Sequence, residues 1–86
     1  MKMIVCSVYD SASQLFGRPF FVHATGQAVR SFTQEVNRRD GDGELSKFPG
    51  DFELFQIGVF DDSSAEYVPV RERLCRGIDV VVSAKE

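Results

Sequence analysis

The sequence predicts an α+β fold, a small and mainly antiparallel sheet with one amphipathic helix packed on one face, in the order strand, helix, strand, strand, strand. Three observations predict it. Residues 2–9 carry apolar side chains on both sides of an alternating pattern, residues 26–38 repeat apolar positions at helical spacing, and residues 52–60 form the most apolar run of the chain. At 86 residues the chain is expected to be one domain, 1–86, near the lower limit for folding without disulfides or metals.

The elements follow in order. Met3, Val5 and Ser7 alternate with Ile4, Cys6 and Val8, which suggests a strand in the middle of a sheet. Asp10-Ser11-Ala12-Ser13 breaks it with turn residues, Gly17-Arg18-Pro19 is a second punctuation, and Phe20-Phe21-Val22 is a short extended piece. Thr25 is an N-cap candidate for a helix from residue 26 to 37 or 38. Val29, Phe32 and Val36, with Ala28 beside them, form the stripe facing a core, and Arg30, Gln34 and Arg38 occupy another face. Arg38-Arg39 sit where cations favour the helix C-terminus.

Residues 39–44 read as a glycine-rich acidic loop, and Phe48-Pro49-Gly50-Asp51 as a turn. In the following strand, strict alternation sets Phe55, Ile57 and Val59 on one side and Phe52, Leu54 and Phe60 on the other. Gly58 marks a bulge or a close backbone approach. Asp61-Asp62-Ser63-Ser64 reads as a hairpin connection to a strand at about residues 66–70, which Pro69 places at a sheet edge because proline cannot donate to a ladder. Residues 71–76 read as a short turn or helix and residues 78–83 as a last strand.

Composition excludes several classes of function. With 43% apolar and 27% charged residues the chain is neither disordered nor membrane-spanning, and no apolar run approaches the roughly 20 residues a bilayer requires. The N-terminal segment is too short and too alternating for a signal peptide, so the cytoplasm is the expected location. Cys6 and Cys75 stand apart, with no CxxC, and read as small hydrophobes in a reducing compartment. The acidic loop offers Asp-x-Asp-x-Glu spacing without the rest of a calcium loop, so neither metal nor cofactor is expected. There is one histidine, His23, and no GxSxG, HExxH, P-loop or GxGxxG, so an enzyme is not expected. Little surplus stability is available at this size, so a homodimer is expected.

The net charge of -3 conceals segregation along the chain. Residues 1–39 hold five cations against two carboxylates, whereas residues 40–70 hold one cation against eight. Binding of single-stranded nucleic acid needs cations that follow phosphates and aromatic faces on which bases stack. The candidates are Lys2, Arg18, Arg30, Arg38 and Arg39, interleaved with Tyr9, Phe16, Phe20 and Phe21. Arg71, Arg73 and Arg76 extend the patch if the fold brings them near.

The strings Ser7-Val8-Tyr9-Asp10, Pro19-Phe20-Phe21, Thr25-Gly26-Gln27-Ala28-Val29-Arg30-Ser31-Phe32, Val36-Asn37, Pro49-Gly50-Asp51-Phe52, Leu54-Phe55-Gln56-Ile57-Gly58 and Phe60-Asp61-Asp62 carry a further observation. Over roughly residues 3–62, and more loosely at Leu74-Cys75-Arg76-Gly77-Ile78, the chain resembles the small nonstructural protein of gokushovirus-type microviruses, phages with circular single-stranded DNA genomes. The resemblance implies a DNA-binding accessory protein that acts in the shift from duplex replication to single-strand synthesis and packaging. It brings no motif of functional residues. An alternative is an adaptor that docks on phage or host replication proteins, or on capsid proteins, through an edge strand or the acidic surface of residues 40–66, without touching DNA.

Overall fold

The computed structural model describes residues 1–38 and 43–82. Five strands, β1 (Lys2–Asp10), β2 (Leu15–Phe16), β3 (Phe20–Val22), β4 (Phe52–Asp61) and β5 (Glu66–Arg76), make one antiparallel sheet. Three helices, α1 (Thr25–Val36), α2 (Glu44–Lys47) and α3 (Gly77–Val80), complete the described chain, with a 3-10 turn at Pro49–Asp51. The fold is the α+β class that the apolar periodicities predict.

β1 lies inside the sheet, as its two-sided apolarity implies. One edge pairs with β4 along its whole length, and the other pairs with β3 at Ile4–Cys6 and with β2 at Tyr9–Asp10. β5 flanks β4 and forms the outer edge, which is where Pro69 can sit without losing a ladder bond. The four-residue connection between β4 and β5 closes with the Ala65 amide donating to the Asp61 carbonyl at 2.7 Å, Ala65 being left-handed at φ 63°.

Ladder partners share a face of a sheet, so the register sorts the side chains. Ile4, Cys6 and Val8 of β1, Phe20 and Val22 of β3 and Phe52 and Leu54 of β4 point towards α1. Cys6, Leu54, Ala28, Phe32 and Val36 form the buried centre of that layer, with Leu45 of α2 and Val80 of α3 packed against it. Ala28, Phe32 and Val36 recur every four residues, so the buried stripe of α1 runs through Ala28, with Val29 half-buried at its margin.

Four local expectations are corrected. Thr25 is not the N-cap: the helix starts at Thr25, Ala24 holds the cap position, and Gln27 reaches back so that its Oε1 accepts the His23 amide at 2.8 Å. The helix stops at Val36 because Asn37 turns its side chain to the C-terminal segment. Its Nδ2 donates to the Thr33 and Val80 carbonyls at 2.8 and 3.0 Å, and its Oδ1 accepts the Val82 amide at 2.7 Å. Residues 71–76 are neither turn nor helix. They extend β5 because β4 offers them ladder partners, from Gln56 opposite Glu72 to Glu53 opposite Arg76. The last strand expected from residue 78 is the short α3, started by Gly77, whose Cα presses on the Pro49 carbonyl with no room for a side chain. Ser83, and the loop residues Arg39, Asp40, Gly41 and Asp42, lie outside the described residues.

The fifth correction decides the shape of the site. Val5 pairs with Gly58 and its neighbour Cys6 pairs with Gln56, so Ile57 is an extra residue in β4. A bulge of one residue reverses the sidedness of everything beyond it. Phe60 therefore lies on the face of Phe55 and not on that of Leu54, while Val59 crosses to the helix side.

Candidate nucleic-acid interface

Among the described residues no helix covers the other face of the sheet, and its surface is aromatic. Tyr9, Phe16 and Phe55 form one group, with ring centroids 4.9, 5.3 and 6.1 Å apart. Phe21 and Phe60 form a second, 5.8 Å apart and edge to face. Phe55 stands opposite Ser7 and Phe60 opposite Met3, so the two groups are about 13 Å apart along β1, four residues at the rise of a strand.

Tyr67 joins the second group from β5, opposite Phe60. Its ring lies over Gly58, in space any side chain at that position would fill, and its hydroxyl donates to the Ile57 carbonyl at 2.7 Å. The glycine and the bulge are thus one device: the bulge frees a carbonyl, and the missing Cβ lets a tyrosine reach it. Beneath the rings, Val5 and Ser7 are buried. The Ser7 hydroxyl donates to the Gly17 carbonyl at 2.8 Å and fastens the connection between β2 and β3, with Arg18 on it, to the flank of β1. Phe16, Phe21 and Tyr67 nevertheless remain 39%, 52% and 46% exposed.

Charge is sorted between the faces by the same alternation. Of the charged strand residues, Asp10, Asp61, Glu66 and Glu72 share the helix side with Lys2, whereas Arg73 and Arg76 share the open side with Glu53 alone, and alternation between Pro69 and Glu72 sets Arg71 on that side too. The triplet Arg71-Glu72-Arg73 counts as one net positive charge along the chain, but on the sheet its carboxylate is on the other face from its arginines. Arg71 is exposed and has no acidic partner among the described residues, and Arg73 is 3.8 Å from Glu53. Arg76 makes two hydrogen bonds to Asp79, at 2.8 and 2.9 Å. That pairing raises the guanidinium pKa and holds the Asp79 carboxyl below its usual range.

Of the sequence-nominated residues, the structure brings together Arg71, Arg73 and Arg76. It does not unite the cations of the first half. Lys2 lies on the helix side of β1, opposite Asp61, and Arg30 is exposed on α1. Arg38 follows the end of α1 with Glu35 at 3.4 Å, Arg18 is exposed between β2 and β3, and Arg39 lies outside the described residues. Phe20 packs against the helix-side core, so of the pair Phe20-Phe21 only the second faces outward. The sequence reading missed Phe55, Phe60 and Tyr67; the signal was Gly58, a glycine in the middle of the most apolar strand.

Other features are chemically quiet. Both cysteines are free, and burial pushes both thiols above their ordinary pKa, with Asp79 adding to the effect at Cys75. Among the described residues no group of three His, Cys, Asp or Glu side chains is placed to hold a metal ion, and no helix is long and apolar enough to cross a membrane. A groove of about 450 Å³ runs between β1, β2 and α2, lined by the apolar residues Val8, Leu45 and Phe52 and by the carboxylates Asp10, Glu35 and Glu44.

No curated protein and no solved structure matches the chain. A family model described as Phage ORF5 protein matches residues 3–80, nearly the whole of the sequence, and the chain therefore belongs to the phage ORF5 protein family.

Proposed function

We propose that this phage protein is a nonstructural DNA-binding accessory factor, acting in the host cytoplasm in the shift from duplex replication to single-strand DNA synthesis and packaging. The resemblance to gokushovirus-type proteins supplies the role. The observation that carries the binding is the sorting of charge: in an acidic chain, Arg71, Arg73 and Arg76 gather along one strand at the open sheet face, where Glu53 lies beside Arg73 and Asp79 of α3 pairs with Arg76. Net charge governs long-range repulsion, but contact with a polyanion depends on the face presented to it. Titration of labelled single-stranded DNA at rising salt tests this. The logarithm of the affinity is expected to fall with slope about 0.7 per phosphate neutralised. Absence of binding at low salt removes the proposal.

A second reading, an adaptor docking on replication or capsid proteins, draws support from the groove beside α2 that Asp10, Glu35 and Glu44 help to line. Strand addition is the weaker route to it, because Pro69 and the charges of Arg71, Glu72 and Arg73 blunt the β5 edge. Recovery of a partner from infected cells separates the readings: one retained after nuclease treatment supports the adaptor, and one lost with the DNA supports direct binding.

A further inference from the structure

We infer that the open face of the sheet takes unpaired bases, so that the ligand is single-stranded rather than duplex DNA and the site is the aromatic surface rather than the helix. The inference rests on the DNA-binding reading above and names its site. Two ring groups about 13 Å apart present Phe16, Phe21 and Tyr67 to solvent, over a low floor of Val5, Ser7 and Gly58. Bases stack on such rings whatever their sequence, whereas a duplex keeps its bases inside its own stack and leaves the rings uncovered. Arg71 and Arg73 lie on the same face along β5, where a backbone passing over the rings would set its phosphates.

The charge on this face also selects among occupants. A second copy laid face to face would carry the same arginines into a desolvated interface without adding an acidic group to meet them, which disfavours that occupant. A polyanion with apolar flat groups matches both features of the surface.

The chain carries its own reporter. It has no tryptophan and two tyrosines, Tyr9 and Tyr67, both on this face. Unlabelled oligo-dT of about 15 nucleotides, within the range of single-strand site sizes, is expected to quench tyrosine emission with the midpoint that labelled oligo-dT gives by anisotropy. Phe21→Leu and Phe16→Leu, which keep an apolar side chain and remove the ring, are expected to weaken binding about 5- to 100-fold each. Arg71→Gln is expected to reduce the salt slope by about 0.7, and Arg30→Gln on α1 to leave binding as it was. A duplex of equal length is expected to bind more weakly than the single strand.

Binding of oligo-dT with tyrosine emission unchanged and with both ring variants at wild-type affinity would overturn the site while leaving a DNA-binding protein. Equal affinity for duplex would overturn the assignment to unpaired bases. A dimer in sedimentation that Phe21→Leu dissociates, with tyrosine emission unresponsive to oligo-dT, would make the face a self-interface and overturn the inference as well. No binding at low salt, by the parent chain or by any variant, would remove the DNA-binding reading and the site together.

Discussion

The two faces of this sheet are built from the same strands yet treat their aromatic and apolar residues differently. On the helix side, Cys6, Leu54, Phe32 and Val36 are at most 3% exposed, and the half-buried Phe20 and Phe52 pack against them. On the open side the rings of Phe16, Phe21 and Tyr67 keep two-fifths to one-half of their surface in water, although each touches another ring or the backbone below it. Fully buried apolar area stabilises the fold by about 25 cal/mol per Å². Half-exposed rings contribute less and leave an apolar area that a ligand could cover. The difference teaches that phenylalanine content by itself is uninformative in so short a chain, since both a buried core and a half-exposed sheet face draw on it and only register distinguishes them.

The largest expected effect is a test of the helix side. Leu54→Ala removes a fully buried side chain from the centre of the core and is expected to cost about 2–5 kcal/mol of folding stability by urea denaturation. Phe21→Leu on the open side is expected to cost under about 1 kcal/mol, the scale of an aromatic pair, while lowering DNA affinity. If the two variants lose equal stability, the faces are not functionally distinct and the contrast fails.

Next in size is Gly58→Ala. The added Cβ has to displace the Tyr67 ring, because the ring and not a flexible chain end fills that space, and an overpacked site costs about 1–3 kcal/mol. Tyr67→Leu in the same background relieves the clash, so the double variant is expected to be more stable than Gly58→Ala alone. Were the two substitutions simply additive, Tyr67 would not lie over Gly58.

These positions also show how much was legible beforehand. The class, the central β1, the amphipathic α1, the hairpin after Asp61 and the edge position of Pro69 followed from apolar period and turn chemistry, which are local properties. The face of Phe60 did not follow, because a bulge is fixed by pairing between strands that are distant in sequence: Ile57 is extra only relative to Val5 and Cys6. The β-branched run after Ile78 misled for the opposite reason. Its propensity favours a strand, but the tertiary contacts of Gly77 and the clasp of Asn37 set the chain there as a short helix and a tail. The site suffered most, since charge summed along the chain favoured the first half, whereas period-two alternation separates Glu72 from Arg71 and Arg73.

Asn37 offers a sharper test of that clasp. Asn37→Ala removes the hydrogen bonds to Val80 and Val82 while leaving the sheet intact. A loss of about 1 kcal/mol is expected, and hydrogen exchange should quicken at Val82 with no change at Val5 or Cys6. Slower or unchanged exchange at Val82 would mean that packing of α3, and not the asparagine, holds the segment.

The smallest expected effect links the two faces through one ion pair. Asp79 holds Arg76 beside the open face, and the hydrogen bonds from Arg76, with the nearby charge of Arg73, lower the carboxyl pKa. A carboxyl with a lowered folded-state pKa contributes stability that is complete above its unfolded value and fades as pH falls through the folded one. Asp79→Asn should therefore differ slightly from the parent at neutral pH, and the gap should close in acid. Both groups are solvent-exposed, so the stability change is small. The effect on binding has the opposite sign. Releasing Arg76 adds a cation to the face that carries Arg71 and Arg73, so at neutral pH Asp79→Asn should bind oligo-dT more tightly and with a salt slope steeper by about 0.7. If affinity falls instead, the phosphates do not pass this end of β5, and the track of the strand must lie nearer Arg71 and Arg18.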